Sequence, residues 1–393
     1  MKKCKNTIEK SIEQILYFEN KNSIEEITKI VFETILKAER KEFLDRDGTE
    51  KNKANGYYKR LGKAINKYFS ISIPRDRMGL FKPIFLECIK EQDERLMDLS
   101  FKLYTKGLST REISEIIEEF YDKKISASWV SNITKSFEIE RKAWQNKKLE
   151  ENYYFVYIDA INISVRRDTV SKEAFYVVMG VKEDLTREIM GVYNIPMETI
   201  EGWREVFEDL KRRGFKNTLM IIADGLAELE RIVKEEFPRA KFQKCITHKK
   251  RNIELKVRAK DKEKISEDLK KVFRVGKTNY TKKEAKKTLN LFVEKWESIY
   301  KNIGNHFPKN QIEYFFNYLE FPEEIQKMIY TTNWIERLNK TIRRTTKIRN
   351  SFPNVESALN LICAILIDKE ESNYLKYPVT AFSNIKDTLD FMF

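Results

Sequence analysis

An α/β core interrupted by an all-helical stretch, with a mainly helical region in front of it, is the architecture this chain predicts. Three observations predict it. Strand-type apolar runs are concentrated between residues 153 and 245, a Lys-rich helical stretch without strand signal follows from 246 to 325, and helical periodicity marks 7–46 and 94–145. With 393 residues, 41% of them hydrophobic, the chain is long enough for two or three domains and can bury a sizeable core.

Residues 7–46 read as helical, because Ile24, Ile27, Ile30, Val31, Ile35 and Leu36 recur at helical spacing among charges. A loop rich in Asp, Gly, Asn and Lys follows at 45–56, and KAINKYFSISIPRDR (63–77) alternates like a strand. The helix ERLMDLSFKLYTKG runs into Gly107, a C-cap residue. Ser109-Thr110-Arg111-Glu112 matches a capping box that starts a second helix, ending near Tyr121. SASWVS (126–131) starts a third, with Ser128, Trp129, Ser131, Asn132 and Lys135 near its front. This is a helix-turn-helix pattern whose last helix presents polar side chains of the kind that read base edges, or else an ordinary three-helix subdomain.

From 153 the pattern changes. YYFVYIDAINISV (153–165), AFYVVMGV (174–181) and EIMGVYNI (188–195) read as consecutive strands. A helix at about 199–213 follows, with Trp203, Val206, Phe207 and Leu210 on one face and Gly214 at its end. TLMIIADG (218–225) is apolar throughout and reads as a buried strand. A helix at 226–236 and a short strand at 240–245 complete the series. The order β-β-β-α-β-α-β is that of a ribonuclease-H-like fold. The chain is helical again from 333 to 349, Pro353 breaks it, and 355–370 forms the next apolar helix. The predicted divisions are 1–92, a helical region with a small β element for DNA binding or oligomerisation, 93–150, the helix-turn-helix DNA-binding domain, 151–245 with 326–393 as the two parts of the core (the latter with a C-terminal tail), and 246–325 as the basic helical insertion.

Charge is unevenly spread. Lys and Arg number 75 against 61 acids, a net +14. Residues 241–287 hold 18 Lys/Arg and 6 Asp/Glu, and 337–350 hold 6 Lys/Arg and no acid. Such clusters are the footprint of a polyanion. The four cysteines (Cys4, Cys88, Cys245, Cys363) are scattered, which argues against a disulfide framework and fits a reducing cytoplasm. The first residues lack the apolar stretch of a signal peptide, and the longest apolar run, LICAILI (361–367), is too short to span a bilayer. No GxxxxGK, GxGxxG or HExxH occurs, so nucleotide-driven and zincin chemistry have no support.

Three carboxylates stand out. Asp159 interrupts an apolar strand, which is costly unless its charge is compensated, and a hard divalent cation would compensate it. Asp224-Gly225 ends another such strand, where a turn explains it equally well. Glu336 leads a helix face that continues through Asn339, Lys340, Arg343 and Lys347; a solvated Glu336–Lys340 pair is the plain alternative. Cys245-x-x-His248 resembles half a zinc site, but no second pair with ligand spacing accompanies it. Trp334, two residues before Glu336 in a basic segment, is a candidate for base stacking or for burial.

Several segments, in order, resemble the bacterial Mutator-type insertion-sequence transposases. They are NGYYKRLG…SIPRDRMGLFKP (55–83), KGLSTREI (106–113), SASWVS (126–131), YIDAINISVR (157–166), Trp203 with EDLKRRG (208–214), IIADGL (221–226), FPRAKFQKCITHKKRN (237–252) and TTNWIERLNKTIRRTTKIRNSFPN (331–354). The one departure noted is Trp334, where that family usually has a small residue. The resemblance implies a DDE transposase with Asp159, Asp224 and Glu336 as the catalytic, metal-holding triad and two Mg²⁺ (or Mn²⁺) ions per site. It implies double-stranded DNA as partner (terminal inverted repeats and target DNA), at least a dimer on that DNA, no membrane, and a cytoplasmic, nucleoid-associated protein. DNA contacts are expected from Ser128, Trp129, Asn132, Lys135, Lys249, Lys250, Arg251, Asn339, Lys340, Arg343, Arg344, Lys347 and Arg349, and a local role near the core from Cys245 and His248. The rival expectations are a ribonuclease-H-like nuclease that cuts without joining, and a sequence-specific DNA-binding regulator with a vestigial core.

Overall fold

The computed structural model describes residues 24–47, 52–64, 67–121, 124–195, 199–225, 228–277 and 279–393. They form two compact units, dividing between Lys135 and Ser136.

In the first unit, α1 (Ile24–Asp47) packs on a hairpin of β1 (Ala54–Ala64) and β2 (Lys67–Asp76). Leu36, Ile71 and Ile73 are its buried centre, with Phe32 and Tyr58 against them. The residues of the expected helix before 24 lie outside the described residues. The expected strand at 63–77 proves to be the second arm of a hairpin, whose first arm begins inside the segment read as a loop. Polar composition hid β1; cross-strand partners such as Tyr58 opposite Ile73 supply what its local sequence lacks. Helix α2 (Ile84–Thr105) runs out at Gly107, whose φ of 103° only glycine adopts readily. Helix α3 (Thr110–Tyr121) opens with the Ser109–Glu112 box, its two reciprocal bonds 2.7 and 3.3 Å long. Helix α4 (Ala127–Gln145) starts where Ser126 Oγ accepts the Trp129 N–H at 3.1 Å.

The second unit is built on a mixed five-stranded sheet. Its strands are β3 (Asn152–Arg166), β4 (Val170–Lys182), β5 (Arg187–Asn194), β6 (Asn217–Ala223) and β7 (Lys241–Lys244), in the spatial order β5-β4-β3-β6-β7. The β3–β4 and β4–β5 pairs are antiparallel; β3–β6 and β6–β7 are parallel, and a helix precedes each of β6 and β7 in the chain. Those helices are α5 (Ile200–Arg212), before β6, and α6 (Leu229–Glu236), before β7. One face of the sheet buries Val156, Ile158, Tyr176, Val178, Ile221 and Ala223 against Trp203, Phe207 and Ile232 of these helices. Successive strand residues alternate sides, so Phe155, Tyr157 and Asp159 point to the opposite face. There Phe155 meets Phe321 and Phe382, with ring centroids 5.5 and 5.6 Å away.

Beyond β7 come α7 (Ile246–Glu254), α8 (Lys262–Val272), α9 (Lys282–Glu297), several 3₁₀ turns and α10 (Glu323–Ile329), with no strand among the described residues. This stretch has its own aromatic centre, with Phe273 stacked on Phe316 and Phe307 edge-on to Phe315. Gln243, fully buried on β7, clamps it to the sheet: its amide nitrogen donates to the Phe315 carbonyl and its oxygen accepts the Tyr318 N–H at 2.9 Å. Helices α11 (Asn333–Lys347) and α12 (Val355–Lys369) then return to β3, and Phe352 between them bonds to β3 through Ser164 and Arg166.

Among the described residues Trp203 is the largest fully buried side chain, edge-on to Tyr176 at 4.8 Å. Trp203→Ala should destabilise this core by about 3–5 kcal/mol, read from the denaturant midpoint. A loss below about 1 kcal/mol would mean that α5 is not held there as described.

Candidate active site

Strand register brings two of the carboxylates together. Ile158 on β3 lies opposite Ala223 on parallel β6, so Asp159 and Asp224 are the next residues along each. On β7, Lys244 lies opposite Ala223, and Cys245 follows, its N–H donating to the Ala223 carbonyl at 2.8 Å. Asp159, midway along β3, thus lies in one row with Asp224 and Cys245, the residues that follow the carboxyl ends of β6 and β7. Open α/β sheets favour this place for a site.

Two helices begin over this row. Helix α7 starts right after Cys245 and puts His248 in its first turn; α11 puts Glu336 in its first turn. The starts are tied together, since Ile246 N–H donates to the Tyr330 carbonyl at 3.0 Å. Thr332, the residue before α11, donates from both N–H (3.3 Å) and Oγ1 (3.2 Å) to Cys245 Sγ. Cys245 is 2% exposed. Its sulfur therefore acts as a bracket that fixes the entry of α11, and with it Glu336.

The electrostatics centre on His248. Its Nδ1 lies 3.4 Å from Asp224 Oδ2 and its Nε2 lies 3.2 Å from Glu336 Oε1. Burial works against a charged imidazole, but contact with Cys245 and the charges of Asp224 and Asp159 outweigh it and push the pKa up to about 9. Arg251, one turn along α7, reaches Glu336 Oε2 at 3.2 Å. Asp159 is 4% exposed and accepts from Asn339 Nδ2 at 2.8 Å. Burial pushes its pKa up to about 6, against the pull of His248, Asn339 and the Ala160 N–H, and the Asp224 charge adds to the rise.

The donor set fits a divalent cation. Glu336 Oε1 and Asn339 Oδ1 are buried oxygens with no hydrogen-bond donor, since His248 approaches Glu336 out of line. Unpaired buried oxygens beside two further carboxylates are what a hard, oxygen-seeking ion requires. Cys245, His248 and Glu336 also offer ligand atoms within 4.8 Å of one another, although the sulfur already accepts two bonds.

A model of the family described as "Transposase, Mutator family" matches residues 1–376. The chain belongs to the Mutator family of transposases. A transposase for insertion sequence element IS1201 from Lactobacillus helveticus is 33% identical, covering 90% of this chain and 96% of that protein. The transposase for IS905 from Lactococcus lactis is 30% identical, over 97% of this chain and 98% of its own. The transposase for IS256 in transposon Tn4001 from Staphylococcus aureus is 29% identical, over 91% and 93%.

The transposase's remaining expected site residues fall differently. Asn339, expected among the DNA-facing side chains, is 1% exposed and turned to Asp159, because its face of α11 lies on β3. Lys249 and Lys250 are half-buried, their ammonium groups 5.1 Å from the Phe315 ring centre and 5.8 Å from that of Phe273. Burial lowers both pKa values, that of Lys249 to about 8. Lys340, Arg343, Arg344 and Lys347 are exposed; Arg349 is half-buried over Phe352. Trp334 is half-buried between Tyr157 and Phe382, with Arg187 over its ring. Ser128, Asn132 and Lys135 are exposed and Trp129 half-buried. No described helix is long and apolar enough to cross a membrane.

Sequence reasoning gave His248 and Cys245 only a local role and missed Gln243. The available signal was their position: Gln243 is on the strand after the one that ends at Asp224, Cys245 follows that strand, and His248 is in the first turn of the helix after it.

If Cys245 sets the position of Glu336, Cys245→Ala should slow DNA cleavage by up to about 100-fold while duplex binding stays unchanged. Cys245→Ser, which still accepts from Thr332, should recover most of the rate. Equal loss in both variants would remove the bracket.

Proposed function

We propose that Asp159, Asp224 and Glu336 are the catalytic carboxylates of an insertion-sequence transposase whose sheet is a ribonuclease-H-like core, holding two Mg²⁺ or Mn²⁺ ions. The reading is carried by one observation: three carboxylates from β3, β6 and α11 converge around His248 in a chain of this family. The β5-β4-β3-β6-β7 order, with helices α5 and α6 between the parallel strands, supports the core assignment. When bound, the ions would activate the attacking oxygen and stabilise charge on the leaving one.

The protein's own residues supply position and charge balance. Asn339 fixes one oxygen of Asp159, and Arg251 holds one of Glu336. Exposed Lys340, Arg343, Arg344 and Lys347 extend along α11 from the site and would anchor DNA phosphates, which orient the duplex without reading it. Sequence reading falls to α2–α3–α4 as a helix-turn-helix, with Ser128, Asn132 and Lys135 at the front of its last helix. In the first reaction, water attacks the phosphorus at an element end; the bond to the 3′ oxygen breaks and leaves a 3′-OH. That hydroxyl oxygen then attacks a target phosphorus, and the target's own 3′ oxygen departs. One core has one triad and an element has two ends, so the working species is at least a dimer on DNA.

Asp159→Ala, Asp224→Ala and Glu336→Ala should each abolish Mg²⁺-dependent cleavage and strand transfer. Duplex affinity should remain, because the exposed basic surfaces are untouched. Near-normal joining by any one variant would exclude that residue from the triad.

A further inference from the structure

The β1–β2 hairpin and the loop that leaves it carry a third concentration of positive charge, away from the catalytic carboxylates in sequence and on a different unit. Between residues 52 and 83 the chain has 8 Lys/Arg and a single acid, Asp76. That one acid is 4% exposed, so it does not offset the charge seen from solvent. Lys53, Lys59, Arg75, Arg77 and Lys82 are all exposed, and none is ion-paired among the described residues.

Asp76 does something else. Its Oδ2 accepts the Leu80 N–H at 3.0 Å, its Oδ1 accepts the Phe81 N–H at 3.2 Å, and Asn52 Nδ2 donates to Oδ2 at 3.0 Å. Asn52 Oδ1 in turn accepts the Met78 N–H at 3.3 Å, and Arg77 N–H donates to the Lys53 carbonyl at 2.8 Å. These bonds hold the carboxylate's pKa below its usual value despite burial. They also fix the backbone of the loop 77–80, where Gly79 has a φ of 70° and open space where a side chain would be. The loop displays Met78 at 55% and Leu80 at 56% exposure, flanked by Arg77 and Lys82.

We propose that this loop at the open end of the hairpin is a DNA-docking element: Lys53, Arg77 and Lys82 contact phosphates, and Met78 and Leu80 lie in the groove between them. Within 53–82 every exposed charge among the described side chains is positive, which favours a polyanion; of the exposed acids on α1, Glu42 is paired with Arg46. Apolar tips between cations suit a groove lined by sugars and base edges. Pre-ordering by Asp76 lowers the entropy lost on docking. This rests on the DNA-acting function proposed above.

The test is fluorescence anisotropy of the full chain on a labelled double-stranded DNA of mixed sequence, across a salt series, with thermal melts as the folding control. The triple variant Lys53→Ala, Arg77→Ala, Lys82→Ala should weaken binding and lower the log–log salt slope by about 0.9 for each phosphate no longer neutralised. Met78→Ser with Leu80→Ser should weaken binding several-fold at an unchanged slope. Arg77→Ala alone serves if the triple variant melts early, with a slope change of about 0.9. Wild-type affinity and slope in these variants would overturn the proposal, as would loss of self-association with DNA binding intact. Failure of the wild-type chain to bind any duplex would count instead against the functional reading.

Discussion

A carboxylate buried within an apolar sheet must be compensated, and Asp159 sets that requirement for this protein. It sits on the central strand, 4% exposed, with Asp224 just past the end of the next strand. Burial pushes the Asp159 pKa up, and the charge of Asp224 adds to the rise. What surrounds them answers that problem. Asn339 donates one bond, the His248 imidazole lies within reach of Asp224 and Glu336, and Arg251 takes the far side of Glu336. Even so, Glu336 Oε1 and Asn339 Oδ1 remain buried without donors. A cation completes this constellation better than any further side chain in view.

The scaffold makes the constellation possible by bringing together residues far apart in the chain. Parallel pairing fixes Asp159 against Asp224 to within the register of two strands. Glu336 arrives only after the long helical stretch, so its placement depends on tertiary ties. These are Cys245 with Thr332, Ile246 with Tyr330, and Gln243 with Phe315 and Tyr318. The short segment from Gln243 to Arg251 therefore joins the sheet, the helical stretch and the start of α11. Loosening it would move the glutamate without touching any carboxylate.

Much of this was legible in the residues because the signals were local. An aspartate with apolar neighbours on both sides marked Asp159, and the uninterrupted apolar run marked β6 as buried. Ser109 with Glu112 marked the start of α3 through bonds three residues apart. Illegible features depended on partners distant in sequence. Helical spacing grouped Glu336, Asn339 and Arg343 on one face but did not say that Asn339 is buried against β3 while Arg343, which reaches the Ala160 carbonyl, stays exposed. Charge counting could not show that Lys249 and Lys250 lie half-buried near the rings of Phe315 and Phe273, which are well downstream. Polar residues disguised β1, whose pairing with β2 is invisible to local pattern.

The central claim is that residues from β3, β6 and α11 form one divalent-cation site. Mn²⁺ titration of the full chain without DNA, followed by electron paramagnetic resonance, tests it most directly. The account predicts saturable binding that is lost or strongly weakened by Asp159→Asn, Asp224→Asn and Glu336→Gln alike. In wild type the affinity should fall as pH is lowered through about 6, where a proton competes for Asp159. Binding that survives all three substitutions, with no dependence on pH in that range, would contradict it.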